Sequence, residues 1–471
     1  MIDLKKYKNI HCIGIGGIGL SAIAEILLDR GYHVSGSDMK RSDITDKLAS
    51  HGAEIFIGHR AENVEKADLI VYSAAIAEEN PEIRRAREKN IPLASRAQVL
   101  GTLMAEYPES IAISGTHGKT TTTSMVSIIL QEAGVDPTIL VGGQLDEIGG
   151  NVKIGHGSCF VTEACEYRDS FLQLRPMIEV ILNIDSDHLD YFKDLDHIVR
   201  SFDQFASSVP EEGKIIAYDS NPFVSQVIKG HDNAITYGYG KGCDYQISDV
   251  KFDENGMPSF SVLRNYRDGK TEMLGDVQLH VPGEHNILNA AAAFACCHEL
   301  GVDQNLICRM LGCYHGTHRR FDPVGATEKG VRIVDDYAHH PTEIKATLAA
   351  ADKIPHRRLW CLFQPHTYTR TLALFDQFAE AFAEADILIL ADIYAAREKD
   401  IYNISSEKLA ETIREEHPDK PVYYMESFAK IADYVREHAE AGDLVLTMGA
   451  GDIYKVGRMI LDTASEKEKA K

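Results

Sequence analysis

The chain has 471 residues, 44% of them apolar, and a formal charge of −22. That length is too great for one core and calls for two to four domains of an ordinary globular protein. The excess of carboxylates argues against a nucleic-acid partner, which needs basic faces, and leaves small anionic substrates open. No apolar run reaches the ~20 residues that span a bilayer, and the start lacks the apolar stretch of a signal peptide. The nine cysteines form no CxxC pair and read as free thiols of a reducing compartment. The expectation is a cytoplasmic protein without a membrane partner.

Strand-like runs alternate with amphipathic helical patterns, which predicts an α/β protein of parallel sheets with helical crossovers. In the first block a strand over 10–15 runs into Gly14-Ile15-Gly16-Gly17-Ile18-Gly19. A helix over 20–30 and strands over 33–37, 53–57 and 69–72 follow. Gly14, Gly16 and Gly19 complete G-x-G-x-x-G between strand and helix, and Asp38 follows the next strand. This is the Rossmann fingerprint for a pyrophosphate with an acid near a ribose. It does not say which nucleotide carries the pyrophosphate, and close helix–strand packing alone would use the same glycines.

In the second block a strand over 111–114 runs into Gly115-Thr116-His117-Gly118-Lys119-Thr120 and a helix over 120–132. Glycines let the backbone wrap a phosphate, Lys119 can reach the β/γ-phosphates and the Thr120 hydroxyl can ligate Mg²⁺. The helix points its N-terminus at the anion. Ile113 stands where a strict GxxxxGK[ST] loop has its first glycine. Strands are expected over 158–162 and 179–183. Glu163 follows the first, and Asp185, Asp187 and His188 follow the second, at the strand ends where α/β sheets bind ligands. Carboxylates suit Mg²⁺, so on spacing alone Asp185 and Asp187 are as good as His188, which reads as a structural histidine. A helix over 197–208 and a β-rich stretch over 245–281 come next. His285-Asn286-Ile287-Leu288-Asn289 then opens an alanine-rich helix. Asn286 and Asn289 share a face and could cap the helix or contact a nucleotide.

The third block repeats the alternation, with strands over 332–335, 359–363, 386–391 and 444–448 and helices over 372–384 and 428–438. Gly316–Phe321 marks a hinge, while 335–341 and 364–370 follow strands and face a cleft. The charged tail 465–471 is expected to fray.

Taken in order, GIGGIG, GTHGKTTT, TEACE, NIDSDH, HNILN, HRRFD, DDYAHHPTE, FQPHTYTR and MGAGDI resemble the Mur ligases of peptidoglycan synthesis over essentially the whole chain. The likeness is nearest to members that join L-alanine to UDP-N-acetylmuramate. It implies a Rossmann-like N-terminal domain over 1–106 that holds the UDP, a central P-loop domain over 107–321 for ATP and Mg²⁺, and a Rossmann-like C-terminal domain over 322–471. It also implies ATP-driven acyl-phosphate formation on the lactyl carboxylate, followed by attack of L-alanine.

By motif match, Gly14, Gly16, Gly17, Gly19, Asp38 and Ser73 meet the UDP-linked substrate. Gly115, Thr116, His117, Gly118, Lys119, Thr120 and Thr121 meet ATP, with Asn286, Asn289, Arg320 and Asp336. Thr120, Glu163 and His188 match the metal ligands, for two Mg²⁺ with Mn²⁺ as a substitute, which overrides the structural reading of His188. Tyr337, His339 and Arg370 match the surroundings of L-alanine. Lys119, Glu163, His188, His339 and Arg370 would carry the chemistry in a monomer or weak homodimer.

The chain departs from the resemblance at Cys165, Tyr167 and Arg168, where the family often has a more acidic run, and at Thr367, where many members have arginine. No lysine stands near 202–203, so no carbamate between metals is expected. The alternatives are a ligase that recycles a tripeptide onto the same donor, and a non-catalytic nucleotide-binding regulator.

Overall fold

The computed structural model describes residues 2–73, 76–396 and 398–462, so the tail over 465–471 lies outside the described residues. The chain forms three sheets flanked by helices. The first is all parallel, in the order Glu54–Ile57, His33–Asp38, Asn9–Ile13, Leu69–Tyr72, Leu93–Ser95. Chain order reverses between Asn9–Ile13 and Leu69–Tyr72, so the loops leaving their C-terminal ends make a switch-point crevice. Gly14 stands in one loop and Ser73 in the other. A Cβ on Gly14 would lie 3.8 Å from Ser73 Oγ.

The second sheet has ten strands, with the P-loop strand Glu109–Ser114 between Ile178–Ile181 and Cys159–Glu163, all parallel. Its order also reverses beside Glu109–Ser114. The three strands Tyr245–Phe252, Pro258–Asn265 and Thr271–Gln278 extend one edge as an antiparallel meander, as the β-rich stretch led us to expect. In the third sheet Arg332–Asp336, Leu444–Met448, Leu359–Phe363, Ile387–Leu390 and Val422–Tyr424 run parallel. Asp322–Ala326 is an antiparallel edge.

Apolar side chains fill both faces of these strands. Ile387–Leu390 and Leu444–Met448 are buried throughout, as parallel strands covered on both sides must be. Helix Glu284–Glu299 buries Ala290–Cys297 without interruption. Small side chains there let it pack closely on helix Lys119–Glu132 behind the P-loop.

Two expectations change. The strand expected over 10–15 ends at Ile13, because Gly14 turns the chain at φ 82°. The helix expected over 372–384 is two shorter ones, Tyr368–Ala373 and Phe375–Ala379. They break at Leu374, whose φ −115° and ψ 21° leave the helical region while its side chain enters the core.

Candidate active site

The P-loop is built from the end of Glu109–Ser114 and held from the neighbouring strand. Thr116 N donates to Asn183 O (3.1 Å), and His117 N donates to Asn183 Oδ1 (2.8 Å), whose amide returns a bond to His117 O (3.0 Å). Asp185 N donates to Thr116 Oγ1 at 2.9 Å. Gly118 has φ 87°, and a Cβ there would lie 2.4 Å from Asn289 Oδ1; both conditions demand glycine. Lys119 opens the helix and points back into its own loop. Its Nζ donates to Gly115 O, Thr116 O and the buried Glu166 (2.9 Å to Oε2). Burial alone would lower the Lys119 pKa, but the Glu166 charge outweighs it and the ammonium is kept.

The loop separates two cavities. Thr116, Gly118, Lys119 and Thr120 line a cleft of about 960 Å³, together with Glu163 and His188. Arg320, Tyr337 and His339 of the later motifs line it too, and so does Ile18 from the first glycine turn. Among the described residues of the first glycine turn, Ile18 alone borders this cleft. Asn151 Nδ2 donates to Ile18 O (3.0 Å) across the two domains. Behind the loop, a cavity of about 440 Å³ holds Gly118, Thr121, Asn286, Asn289, Arg320 and Asp336. Leu182, Ile184, Tyr218, Phe223 and Leu288 add apolar wall to it, a shape suited to a planar base.

Glu163 reaches back to Gly142 N through Oε1, which leaves Oε2 for the cleft. His188 has φ 54°, a left-handed conformation that costs strain in a non-glycine residue and is common at functional sites. Its ring lies tilted against Tyr167, with centroids 4.7 Å apart, and sets Nε2 3.7 Å from Glu166 Oε1. Asp187, one of the carboxylates that spacing made a candidate metal ligand, instead takes Arg370 Nε (3.1 Å) and Nη2 (3.0 Å). Burial would raise the Asp187 pKa, but the Arg370 guanidinium holds it well below the usual range. Arg370 Nη1 meets His366 Nδ1 at 3.1 Å. Arg370 and Thr367 line a third cavity of about 770 Å³, which Ile76 and Ala77 of the first domain close from the other side.

The imidazole of His339 donates from Nδ1 to Tyr337 O at 2.9 Å. Nε2 is therefore an acceptor, and burial keeps the ring neutral, with its pKa lowered to about 3. Asp336 accepts from Phe321 N (2.8 Å) and Ala338 N (2.7 Å); burial pushes its pKa up to about 6. Asn286 Nδ2 donates to Pro282 O (2.8 Å) and Asn289 Nδ2 to Asn286 Oδ1 (3.1 Å). Gly283 is the N-cap and no side chain caps this helix; Asn286 instead ties the first turn to Pro282, while Asn289 Oδ1 abuts the P-loop. In the first domain Gly16 N donates to Asp38 Oδ2 at 2.9 Å, so Asp38 braces the glycine turn. Gly17 caps helix Ile18–Asp29, and Gly19 abuts Arg96.

Family models match the three parts in order: Mur ligase family, catalytic domain, over 9–108; Mur ligase middle domain over 113–297; and Mur ligase, glutamate ligase domain, over 319–451. The chain is a Mur ligase. Among curated proteins, this Mur ligase is 52% identical over 461 residues to the UDP-N-acetylmuramate–L-alanine ligase of Alkaliphilus metalliredigens, covering 98% of each chain. It is 51% identical over 459 residues to that of Clostridium tetani, covering 97% of this chain and 99% of the other. Among solved structures, it superposes on the UDP-N-acetylmuramate–alanine ligase of Thermotoga maritima with a TM-score of 0.81 at 28% identity, over 98% of this chain and 100% of that one. A murein peptide ligase from Psychrobacter arcticus follows at a TM-score of 0.72 and 25% identity, over 96% and 98%.

Two residues that carried no assigned role in the sequence, and one given a different role, stand at the centre of this Mur ligase's site: Glu166 on Lys119, Glu343 on His117 (Oε1 to Nδ1, 3.1 Å), and Asp187 on Arg370 rather than on a metal. For Glu343 a signal existed, since His340 and Glu343 have the spacing of a capping box and form one. Nothing in the sequence pointed to the other two pairings.

Proposed function

We propose that this chain joins L-alanine to the lactyl carboxylate of UDP-N-acetylmuramate, spending ATP through an acyl phosphate. Identity of about half over the full length to ligases of that name supports the reading. The observation that carries it is one cleft lined by the P-loop, by Ile18 of the first glycine turn and by the third-domain residues Tyr337 and His339. A substrate anchored by its UDP at the first crevice can thereby bring its carboxylate to the γ-phosphate. The domain division at 1–106, 107–321 and 322–471 belongs to the same proposal and follows the extents of the three sheets.

A carboxylate is a poor electrophile. Its oxygen attacks the γ-phosphorus, ADP leaves, and the acyl phosphate then has a good leaving group. The L-alanine amine, after losing a proton, attacks the acyl carbon and expels phosphate. Lys119, with Arg320 at the cleft, offsets the anionic crowding on the transferring phosphoryl group. The Lys119 contacts with Glu166 give way to phosphate when nucleotide binds. The apolar cavity takes the adenine, with Asn286, Asn289, Thr121 and Asp336 around it. The neutral Nε2 of His339 accepts a hydrogen bond from the alanine ammonium beside Tyr337, and Arg370 exchanges part of its Asp187 contact for the substrate carboxylate on binding.

Thr120, Glu163 and His188 fit a divalent cation: the hydroxyl and the Glu163 Oε2 are hard oxygen donors of the kind Mg²⁺ takes, while the imidazole alone would not select it. Such an ion supplies charge neutralisation at the phosphates. A cytoplasmic location and the monomer or weak-dimer state remain part of this proposal. The nine cysteines, all free, suit a reducing compartment.

The test is phosphate release from ATP with Mg²⁺ and UDP-N-acetylmuramate, with and without L-alanine. Release should require both substrates and should fall by roughly 10²–10³-fold in Lys119→Ala, the scale of one preorganised electrostatic donor. Turnover with a tripeptide and none with L-alanine would move the assignment to the recycling ligase. Silence with both would sink the ligase reading.

A further inference from the structure

The phosphate loop carries a histidine whose ring turns away from the cleft toward another domain. His117 Nε2 meets Asp185 Oδ2 at 3.4 Å, and Nδ1 meets Glu343 Oε1 at 3.1 Å. Asp185 belongs to the P-loop domain. Glu343 lies in the first turn of helix Pro341–Asp352 on the third sheet. Burial by itself would lower the His117 pKa, but the hydrogen bonds and charges of the two carboxylates push it up to about 9. Both ring nitrogens then carry protons, one for each acid.

The same helix start makes two more bonds to the same strand end. Thr342 Oγ1 donates to Asp185 Oδ2 (2.7 Å), and His340 Nε2 donates to Ser186 O (2.9 Å). His117, Asp185 and His340 put ligand atoms within 4.8 Å of one another. A metal would nonetheless have to displace protein partners from every imidazole nitrogen, because His340 Nδ1 also accepts from Thr342 N (3.3 Å). Hydrogen bonding, not metal binding, accounts for this cluster.

We propose that His117 is a positioning residue that couples the phosphate loop to the docking of the third domain. Its backbone is clamped on Asn183 and its imidazolium is shared between Asp185 and Glu343. When helix Pro341–Asp352 is seated, the loop is gripped from both domains. When the helix departs, the imidazolium loses one of its two anions and the loop loses that brace. Arg319 (φ 64°) and Phe321 (φ 49°) strain the linker between the two domains, which places stored strain where such a movement would turn. The coupling rests on the ligase reading above, since it assumes that the loop binds ATP.

The experiment compares the full-length wild type, His117→Ala, Glu343→Gln and the double variant by steady-state kinetics and small-angle scattering. In each single variant kcat should fall about tenfold with the KM for ATP moving less than about threefold, within the usual range of coupling between sites. The double variant should fall no further than the worse single one, because both break the same His117–Glu343 contact. Compaction on adding ATP and UDP-N-acetylmuramate should weaken in all three. Glu343→Gln leaves the loop sequence native and keeps the test decisive if His117→Ala folds poorly. Losses that multiply in the double variant, or a weakened KM for ATP with unchanged kcat and compaction, would overturn the coupling while leaving the ligase intact. A wild type that releases no phosphate with either amine would overturn both.

Discussion

Single side chains in this enzyme owe their properties to what surrounds them more than to their type. Glu179 is the plainest case. It sits fully buried in strand Ile178–Ile181, accepts one hydroxyl from Ser114 (3.0 Å) and leaves Oε2 without a partner. Burial pushes its pKa up to about 8. A group whose folded pKa is raised gives its full contribution below the unfolded value and loses it as pH climbs through the folded one. Glu179 should therefore erode stability as pH rises from about 4.5 to about 8. Thermal melts across that range should show a shallower decline in Glu179→Gln than in wild type, and parallel slopes would refute the argument. Selectivity for the amino acid is also set at this scale. Rejecting glycine by one missing methyl is worth only about 1–3 kcal/mol, so measurable turnover with glycine is expected. An L-alanine preference above ~10³ in kcat/KM would exceed what one methyl contact supplies.

At the level of elements, each loop that bears chemistry leaves the C-terminal end of a parallel strand, and its glycines are fixed by backbone geometry. Gly118 combines φ 87° with the 2.4 Å approach to Asn289 Oδ1. A left-handed alanine costs about 1–2 kcal/mol before any clash. Gly118→Ala should lower the denaturation midpoint and, by moving Asn289 or the loop, weaken ATP binding in equilibrium titration. Native-like affinity in that variant would mean the loop adapts more freely than its contacts imply. These elements were largely legible in the sequence. Gly14–Gly19 and Gly115–Thr120 each run from a strand end into the first turn of a helix, as their patterns required. The kink at Leu374 was not legible, because an amphipathic pattern continues through it and only packing on the third core bends the chain there.

For the whole molecule, the cleft draws residues from all three domains, from Ile18 to Asp462. Among the described residues no helix is long and apolar enough to cross a membrane. The strand-end positions of Lys119, Glu163, His188 and Tyr337 could be read from order and spacing, since local patterns mark where strands stop. The pairings of Arg370 with Asp187 and of His117 with Glu343 span 183 and 226 residues. No local pattern carries such information.

The sequence alone determined the alternation of strands and helices, the two glycine loops and the set of polar residues available to the site. It could do so because backbone conformation and amphipathic period are local properties. Only the tertiary structure decided which of those polar groups are committed to one another. Arg370 is already spent on Asp187, Lys119 on Glu166, and His117 faces Glu343 across a domain boundary. Those choices follow from the cost of burying a charge without a partner, and the partner is whatever the packed domains bring within reach.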